Sequence, residues 1–194
     1  MRKAVCERKT NETDIRVELN LDGTGKYCLK SGISFFDHML SMLARHGLID
    51  LSVSCEGDLA VDAHHSVEDM GIALGRALGE ALGEKVGIAR YATCFLPMDE
   101  ALAMVSVDLS GRPFLVYDVQ FQTEKTGDFD ACLMEEFLRS FAFAAGVTLH
   151  VKLLYGKNTH HILEAIAKGL ARALRTAVSL DPRETGVPST KGVL

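Results

Sequence analysis

The chain has 194 residues, of which 47% are hydrophobic and 24% charged, as in one globular domain or in two small halves with a common core. The net charge of −5 gives no basic field, and no stretch approaches about 20 apolar residues, so we expect neither a nucleic-acid nor a membrane partner. The five cysteines form no C-x-x-C pair and the N-terminus has no signal-peptide pattern, which favours a reducing, cytoplasmic location.

The first half of the chain alternates strand-like and helix-like segments. In VELNLDGTGKYCL (17–29), two alternating apolar runs flank a glycine-containing turn, which predicts a hairpin. FFDHMLSMLARHG (35–47) has apolar residues at helical spacing and ends in glycine, a common helix stop. LSVSCEG (51–57) predicts a further strand, and a second helix is predicted over HHSVEDMGIALGRAL (64–78).

The second half repeats this order of segments. VSVDLSGRPFLVY (105–117) resembles the first hairpin pattern, LMEEFLRSFAFAAG (133–146) the first helix, and LHVKLLYG (149–156) the strand that follows. HHILEAIAKGLARAL (160–174) matches residues 64–78 at a constant offset, with His, His, Glu and a closing Arg-Ala-Leu in register. The chain is therefore an internal duplication.

The duplication predicts the domain organisation. Each half is expected to run strand, strand, helix, strand, helix, with an N-terminal half-repeat over 1–88 and a C-terminal half-repeat over 89–194. No linker separates the halves, so they should pack into one compact α+β unit with helices on one face of each sheet. The tail 181–194 holds two of the four prolines and is predicted to be a loop.

Each half carries one His-His-x-x-Glu tetrad at the start of its last helix. On a helix, His64 and Glu68 share a face while His65 is turned about 100° away, so one tetrad can serve two cations. Imidazole and carboxylate ligands suit Mn, Fe, Ni, Co or Zn, and the lack of thiolates disfavours a structural zinc site. A single tetrad is equally well explained as a polar helix start, but two at matching positions favour metal.

Two further ligands are expected at one repeat position. His38 lies near the start of the first helix, and Glu136 occupies the corresponding place in the second half. Capping or polar core contacts could also explain His38, although the repeat favours a ligand. His46 stands at the end of its helix, where local helix electrostatics alone could account for a histidine.

Eight motifs in chain order resemble one known family. They are RKTNET (8–13), FFDHML (35–40), DAHHSVED (62–69), LPMDEALA (96–103), DLSGRP (108–113), GVTLH (146–150), GKNTHHILEA (156–165) and STKGVL (189–194). Together they resemble the imidazoleglycerol-phosphate dehydratases of histidine biosynthesis, over essentially the whole chain.

The resemblance implies a fold and an assembly. Each half is expected to form a four-stranded sheet covered on one face by two helices, as in the ribosomal protein S5 domain 2-like folds. Members form trimers that assemble into a 24-subunit shell, with active sites between subunits. Each site holds two manganese ions (Mn²⁺), and other divalent cations are compatible with the same ligands.

The resemblance also implies the site residues, by motif. The implied metal ligands are His38, His64, His65, Glu68, Glu136, His160, His161 and Glu164. The implied catalytic residues are Glu12 and His46, and the implied substrate- and phosphate-binding residues are Arg90, Arg112, Lys168, Ser189 and Lys191. Without the resemblance, Glu12 is an ordinary surface carboxylate, and each of the basic residues has an equally ordinary explanation.

The chain departs from the family pattern at two places. Many members have His where this chain has Glu136, and a carboxylate there adds negative charge to the site. Many members have Asp-Gln where this chain has Ser41-Met42, and Met42 cannot replace a glutamine hydrogen bond. Met42 is therefore not assigned to the site.

The implied reaction is the dehydration of D-erythro-imidazole glycerol phosphate to imidazole acetol phosphate, catalysed by a hydro-lyase. The proton that must be removed is not beside a carbonyl, so it is not acidic and the reaction needs another source of electrons. Cations on the ring nitrogens favour an imidazolate, which can expel the hydroxyl through a diazafulvene-like intermediate. One cation for each ring nitrogen would explain why the tetrad occurs twice.

Two other classes explain part of the pattern. A metal-storage or metal-sensing protein accounts for the tetrads, but it gives no role to the SGRP and STKG segments. A phosphate-binding interaction module leaves the histidines unexplained. Activity that is lost on chelation and regained with manganese distinguishes the dehydratase from both.

Overall fold

The computed structural model describes all 194 residues and contains two four-stranded sheets and four long helices. The first half comprises β1 (Lys3–Lys9), β2 (Thr13–Asn20), β3 (Tyr27–Lys30), α1 (Ser34–Gly47), β4 (Asp50–Gly57) and α2 (His64–Leu82). The second half comprises β5 (Tyr91–Met98), β6 (Ala101–Asp108), β7 (Phe114–Asp118), β8 (Lys125–Thr126), β9 (Phe129–Asp130), α3 (Leu133–Ala145), β10 (Thr148–Tyr155) and α4 (Thr159–Ala177). The duplicated α+β fold, with two helices to each sheet, is confirmed.

The two sheets have equivalent topologies, and these overturn the hairpin prediction. The strand orders are β1-β2-β4-β3 and β5-β6-β10-β7, so β4 lies between β2 and β3, and β10 lies between β6 and β7. β3 pairs with β4 in parallel, and β7 pairs with β10 in parallel. Residues 17–29 and 105–117 therefore do not form hairpins, because the strand after each first helix inserts between the two runs.

Each four-stranded sheet also has one more strand than the predicted strand–strand–helix–strand–helix order, and the second half has the short strands β8 and β9 in addition. β1 and β5 precede the predicted strands and pair antiparallel with β2 and β6. In β1 only Ala4 and Cys6 are buried, and its outward positions include Lys3, Glu7 and Lys9, which hid the alternation. Glu12 consequently lies in the turn between β1 and β2.

The four helices lie between the two sheets and join the halves through one continuous hydrophobic core. α1 packs on α4, and α2 packs on α3, so each helix pair combines both halves. Two glycines permit the close contact of α2 with α3: a Cβ at Gly71 would lie 2.7 Å from the Phe137 carbonyl oxygen, and one at Gly75 would lie 2.5 Å from that of Phe141. No helix is both long enough and apolar enough to span a membrane.

Candidate metal centres and substrate site

One compact cluster of metal-binding side chains forms where α1 meets α4. The His38 Nε2 atom lies 3.1 Å, and the His160 Nε2 atom 2.9 Å, from Glu164 Oε1. The three ligand atoms lie within 4.8 Å of one another, as three ligands of a single cation can. His38 comes from the first half and the other two residues from the second, so the cluster exists only because the halves pack together.

Local structure holds these side chains in place. The Asn158 side chain caps α4 by accepting hydrogen bonds from the backbone N–H groups of His160 and His161. This cap fixes the first turn of the helix, in which the second tetrad begins. Phe35 packs edge-on against His160, with ring centroids 5.2 Å apart, so that the ring is supported on its apolar side.

Glu164 carries a negative charge in a nearly buried position. Its side chain is 8% exposed, and burial alone would raise its pKa. Hydrogen bonds from Lys168, His38 and His160 outweigh the burial and lower the pKa to about 2. The Lys168 ammonium lies 2.5 Å from Glu164 Oε2, so the carboxylate stays ionised and available as a ligand.

The first tetrad has a matching but more open arrangement. His64 Nε2 lies 3.8 Å from Glu68 Oε2. Gly71 contacts the turn of α3 at Phe137, and Gly75 contacts the next turn, so α2 and α3 run in parallel. The turn that carries Glu136 therefore lies level with Glu68, as the turn that carries His38 lies level with Glu164. The register of the two helices is compatible with Glu136 as the counterpart of His38, and ligation by Glu136 stays a prediction.

The second histidine of each tetrad faces away from the first. The paired rings of His64 and His65, and those of His160 and His161, stand 86° apart with centroids separated by 6.2 Å. His65 Nδ1 lies 2.9 Å from Asp58 Oδ2, and this hydrogen bond raises the pKa of His65. His161 Nδ1 lies 2.6 Å from Glu100 Oε2, which likewise raises the pKa of His161.

Glu12 lies close to the first tetrad, in the turn between β1 and β2. Its Oε2 atom is 3.8 Å from His65 Nδ1, and its side chain is 51% exposed. The buried Asp69 accepts a 2.6 Å hydrogen bond from the Thr13 hydroxyl and pairs with Arg8 at 2.8 Å, which anchors this turn to α2. The carboxylate of Glu12 is therefore held near a tetrad while its oxygens stay accessible.

The basic residues divide between two regions. Lys168 joins the cluster through Glu164. Burial lowers the pKa of His46, and the nearby charges of Lys168 and Arg172 lower it further. At the edge of the second sheet, Arg90 binds Asp108 at 2.8 Å and the Pro188 carbonyl at 2.8 Å. This contact fixes the tail at Pro188, and its last residue, Leu194, lies beside Gly111, so the segment with Ser189 and Lys191 is held at both ends near this edge.

Sequence reasoning missed the carboxylates that bind His65 and His161, the second histidine of each tetrad. Asp58 is 7 residues before its histidine, and Glu100 is 61 residues before its partner, so helical spacing could reveal neither. The duplication did offer one signal for Glu100: it is the last residue before β6, as Glu12 is the last residue before β2. Asp69 was also missed, although it directly follows the tetrad glutamate.

The duplicated fold and its imidazole–carboxylate cluster define a two-half α+β protein with a candidate divalent-cation centre. The sequence profile of imidazoleglycerol-phosphate dehydratase matches residues 31–174. The chain therefore belongs to the imidazoleglycerol-phosphate dehydratase family, and its enzyme class is hydro-lyase.

Individual relatives agree with this assignment over nearly the full length. Imidazoleglycerol-phosphate dehydratase of Clostridium botulinum strain Langeland is 60% identical over 187 residues, covering 96% of this chain and 95% of that protein. The protein of the same name from Caldanaerobacter subterraneus is 58% identical, with 100% of both chains covered. The Pyrococcus furiosus structure in complex with (S)-C348 is 40% identical, has a TM-score of 0.84 and covers 97% of this chain and 99% of its own. The Staphylococcus aureus structure is 36% identical, has a TM-score of 0.83 and covers 92% of this chain and 100% of its own.

Proposed function

We propose that the protein catalyses the manganese-dependent dehydration of D-erythro-imidazole glycerol phosphate to imidazole acetol phosphate, as a step of histidine biosynthesis. The observation that carries the proposal is the cluster of His38, His160 and Glu164, assembled across the two halves of a chain that belongs to this family. The five free cysteines support the proposed location in the reducing cytoplasm.

The donor set fits a pair of hard to borderline divalent cations. Two imidazoles and one ionised carboxylate face a common point at the α1–α4 contact, and no thiolate takes part. By duplication, the second cation would be held by His64, Glu68 and Glu136, with His65 and His161 as further ligands. Cations on the two ring nitrogens would supply the charge that favours the deprotonated substrate ring.

The chain's own residues then carry the proton transfers. Glu12 is proposed to remove the side-chain proton after the ring electrons expel the hydroxyl through the diazafulvene-like intermediate. Its accessibility beside His65 supports this role, since a base must reach the substrate directly. His46, whose pKa is lowered by desolvation and by Lys168 and Arg172, is neutral at pH 7 and so can accept or pass on a proton.

The phosphate group is proposed to bind the basic residues of both regions, namely Arg90, Arg112, Lys168, Ser189 and Lys191. Fixed cations and hydroxyl donors are the groups that recognise phosphate oxygens. The contact of Arg90 with the Pro188 carbonyl supports this assignment, because it holds Ser189 and Lys191 near the sheet edge.

Lys191→Ala is expected to raise KM by about 10- to 100-fold with little change in kcat, because a charge-assisted hydrogen bond contributes roughly 1.5–3 kcal/mol. Steady-state kinetics on imidazole glycerol phosphate measure both constants. Arg183→Ala is the matched control, since Arg183 is an exposed tail cation that pairs with Asp181. An unchanged KM in Lys191→Ala, or an equal rise in both variants, contradicts the assignment.

We also propose that the chain forms homotrimers that assemble into a 24-subunit shell, with active sites between subunits. Tyr91, Phe95 and Phe114 on the outer face of the second sheet are 65%, 59% and 58% exposed. Apolar surface of this kind is typical of interfaces, whereas the outer face of the first sheet carries the ion pairs of Arg16 with Glu7 and Glu18. The rings of the two histidines in each tetrad stand 86° apart, which supports ligation of different cations and so a site completed by another subunit. Light scattering gives the number of chains.

Chelation is expected to abolish dehydration of imidazole glycerol phosphate, and added Mn²⁺ is expected to restore it. The physical reason is that, without cations on the substrate ring, the side-chain proton is not acidic enough for Glu12 to remove it. The experiment compares the chelated protein before and after titration with Mn²⁺, with Ca²⁺ as the control cation. Undiminished activity after complete metal removal excludes the manganese-dependent mechanism, and bound manganese without any turnover favours a metal-storage protein.

A further inference from the structure

Glu100 uses both carboxylate oxygens to organise the start of α4. Its Oε1 accepts hydrogen bonds from the backbone N–H groups of Asn158 at 2.7 Å and Lys157 at 3.1 Å. Its Oε2 lies 2.6 Å from His161 Nδ1. One side chain therefore fixes both the helix terminus and the histidine ring that projects from it.

Asp58 makes the equivalent contact in the first half, from a different part of the fold. It lies in the segment between β4 and α2, and its Oδ2 is 2.9 Å from His65 Nδ1. Its other oxygen, Oδ1, is buried without a hydrogen-bond partner. In both halves a carboxylate thus binds Nδ1 of the second tetrad histidine and leaves its Nε2 without a hydrogen bond, although Asp99 Oδ2 lies 3.6 Å from Nε2 of His161.

The duplication shows that these two carboxylates are not counterparts of each other. Glu100 immediately precedes β6, and the residue that immediately precedes β2 is Glu12. Glu12 lies 3.8 Å from His65 Nδ1, beyond hydrogen-bond distance, and Asp58 occupies the place that Glu100 takes in the second half. The first half therefore uses a separate residue for this contact, and the carboxylate of Glu12 is left free.

We propose that Glu100 and Asp58 are positioning residues that hold His161 and His65 as Nδ1–H tautomers with Nε2 presented to a divalent cation, and that Asp58 thereby releases Glu12 for proton transfer. This inference rests on the proposed manganese site. A carboxylate on Nδ1–H orients the ring and increases the basicity of the other nitrogen. The duplicated carboxylates thus have different roles in the two halves: Glu100 orients a ligand, and its counterpart Glu12 is free to act on substrate.

The chemistry of each contact predicts an asymmetric response to amide substitution. In Glu100→Gln only one oxygen remains, so the side chain cannot accept from the α4 backbone and from His161 together. Its amide N–H₂ then faces either the helix terminus or Nδ1, and the latter favours the Nε2–H tautomer, which cannot bind a cation. In Asp58→Asn the carbonyl oxygen can still face His65, because the amide group can occupy the side where Oδ1 has no partner.

The test is manganese binding to the metal-free full-length protein, measured from the electron paramagnetic resonance signal of free Mn²⁺. Glu100→Gln and Asp58→Ala are each expected to weaken binding by about 10- to 100-fold at the cation that the affected histidine serves. Asp58→Asn is expected to stay within about threefold of the unsubstituted protein, on the same reasoning. Glu84→Gln removes an equal charge from an exposed site beyond α2 and serves as the control.

Turnover by the same proteins provides the second measurement. Asp58→Ala is expected to reduce kcat even at saturating Mn²⁺, because Glu12 can then move onto His65. Thermal unfolding of each metal-free variant identifies any general loss of structure. Manganese affinities in Glu100→Gln and Asp58→Ala that equal that of the control overturn the proposal, as does a loss in Asp58→Asn as large as that in Asp58→Ala. If the unsubstituted protein binds Mn²⁺ but does not dehydrate the substrate, the proposed function fails while the positioning roles are still decided by the affinities.

Discussion

Glu12→Gln is expected to lower kcat by about 10³-fold, within the range that a positioned acid or base contributes. Glutamine preserves the size and polarity of the side chain but cannot accept the proton at neutral pH. The turn itself should remain intact, since it is anchored by the Thr13–Asp69 hydrogen bond and not by the Glu12 carboxylate. Single-turnover and steady-state kinetics measure the effect.

KM and bound manganese are expected to change little in Glu12→Gln, because the structure gives this side chain no hydrogen bond to a tetrad. Glu56→Gln is the matched control: Glu56 is an exposed carboxylate near the same end of the first sheet. Full activity in Glu12→Gln refutes the assignment. A parallel loss of manganese shows instead that Glu12 supports the metal centre.

Glu164→Gln is expected to reduce manganese affinity by at least about 100-fold, the upper end of what changes around a metal ligand usually cost. The substitution removes the only anionic ligand of the α1–α4 cluster and leaves the Lys168 ammonium beside the cation site without its counter-charge. Metal analysis after dialysis against a fixed concentration of Mn²⁺ measures the loss, and activity should fall with it. Glu135→Gln, which breaks an exposed i,i+4 ion pair with Arg139 on another helix, is the control.

The same variant gives a pH-dependent signature in the metal-free protein. The folded-state pKa of Glu164, about 2, lies below its ordinary value of 4.5. The ionised group therefore stabilises the folded state above about pH 4.5, and this contribution is lost as the pH falls toward 2. Denaturant unfolding between pH 5 and 3 should show a smaller decline in the free energy of unfolding for Glu164→Gln than for the unsubstituted protein. Equal declines in the two proteins contradict the structure, because they mean that the neighbours of Glu164 do not favour its ionised form.

Much of the fold followed from local patterns. Helical spacing located all four helices, and repeated motifs established the two halves, because both signals lie within short segments. The prediction failed where partners are distant in sequence. Nothing within residues 17–29 indicates that β4 will insert between β2 and β3. Two apolar segments that are adjacent in sequence can pair with each other, or each can pair with a strand that comes later in the chain. β1 was missed because its outward face is charged and only two of its side chains are buried.

The candidate site divides in the same way. The tetrads, their helical geometry and the matching positions of His38 and Glu136 could all be predicted from spacing. The partners of the second histidine of each tetrad could not, because Asp58 and Glu100 lie in connecting segments whose direction depends on the assembled sheets. The assignment of Glu12, likewise, depended on resemblance, since an isolated carboxylate in a polar turn has no distinguishing pattern.

The sequence by itself determined the duplication, the helices and the tetrads at their starts, because periodicity and repeated motifs are properties of short segments. The tertiary structure decided which side chains meet. His38 and Glu164 are 126 residues apart and come within 3.1 Å only because α1 packs on α4. It also decided that one duplicated carboxylate, Glu100, binds a histidine while the other, Glu12, lies free beside one. The two carboxylates lie 2.6 Å and 3.8 Å from their histidines, a difference that packing determines and a motif does not encode.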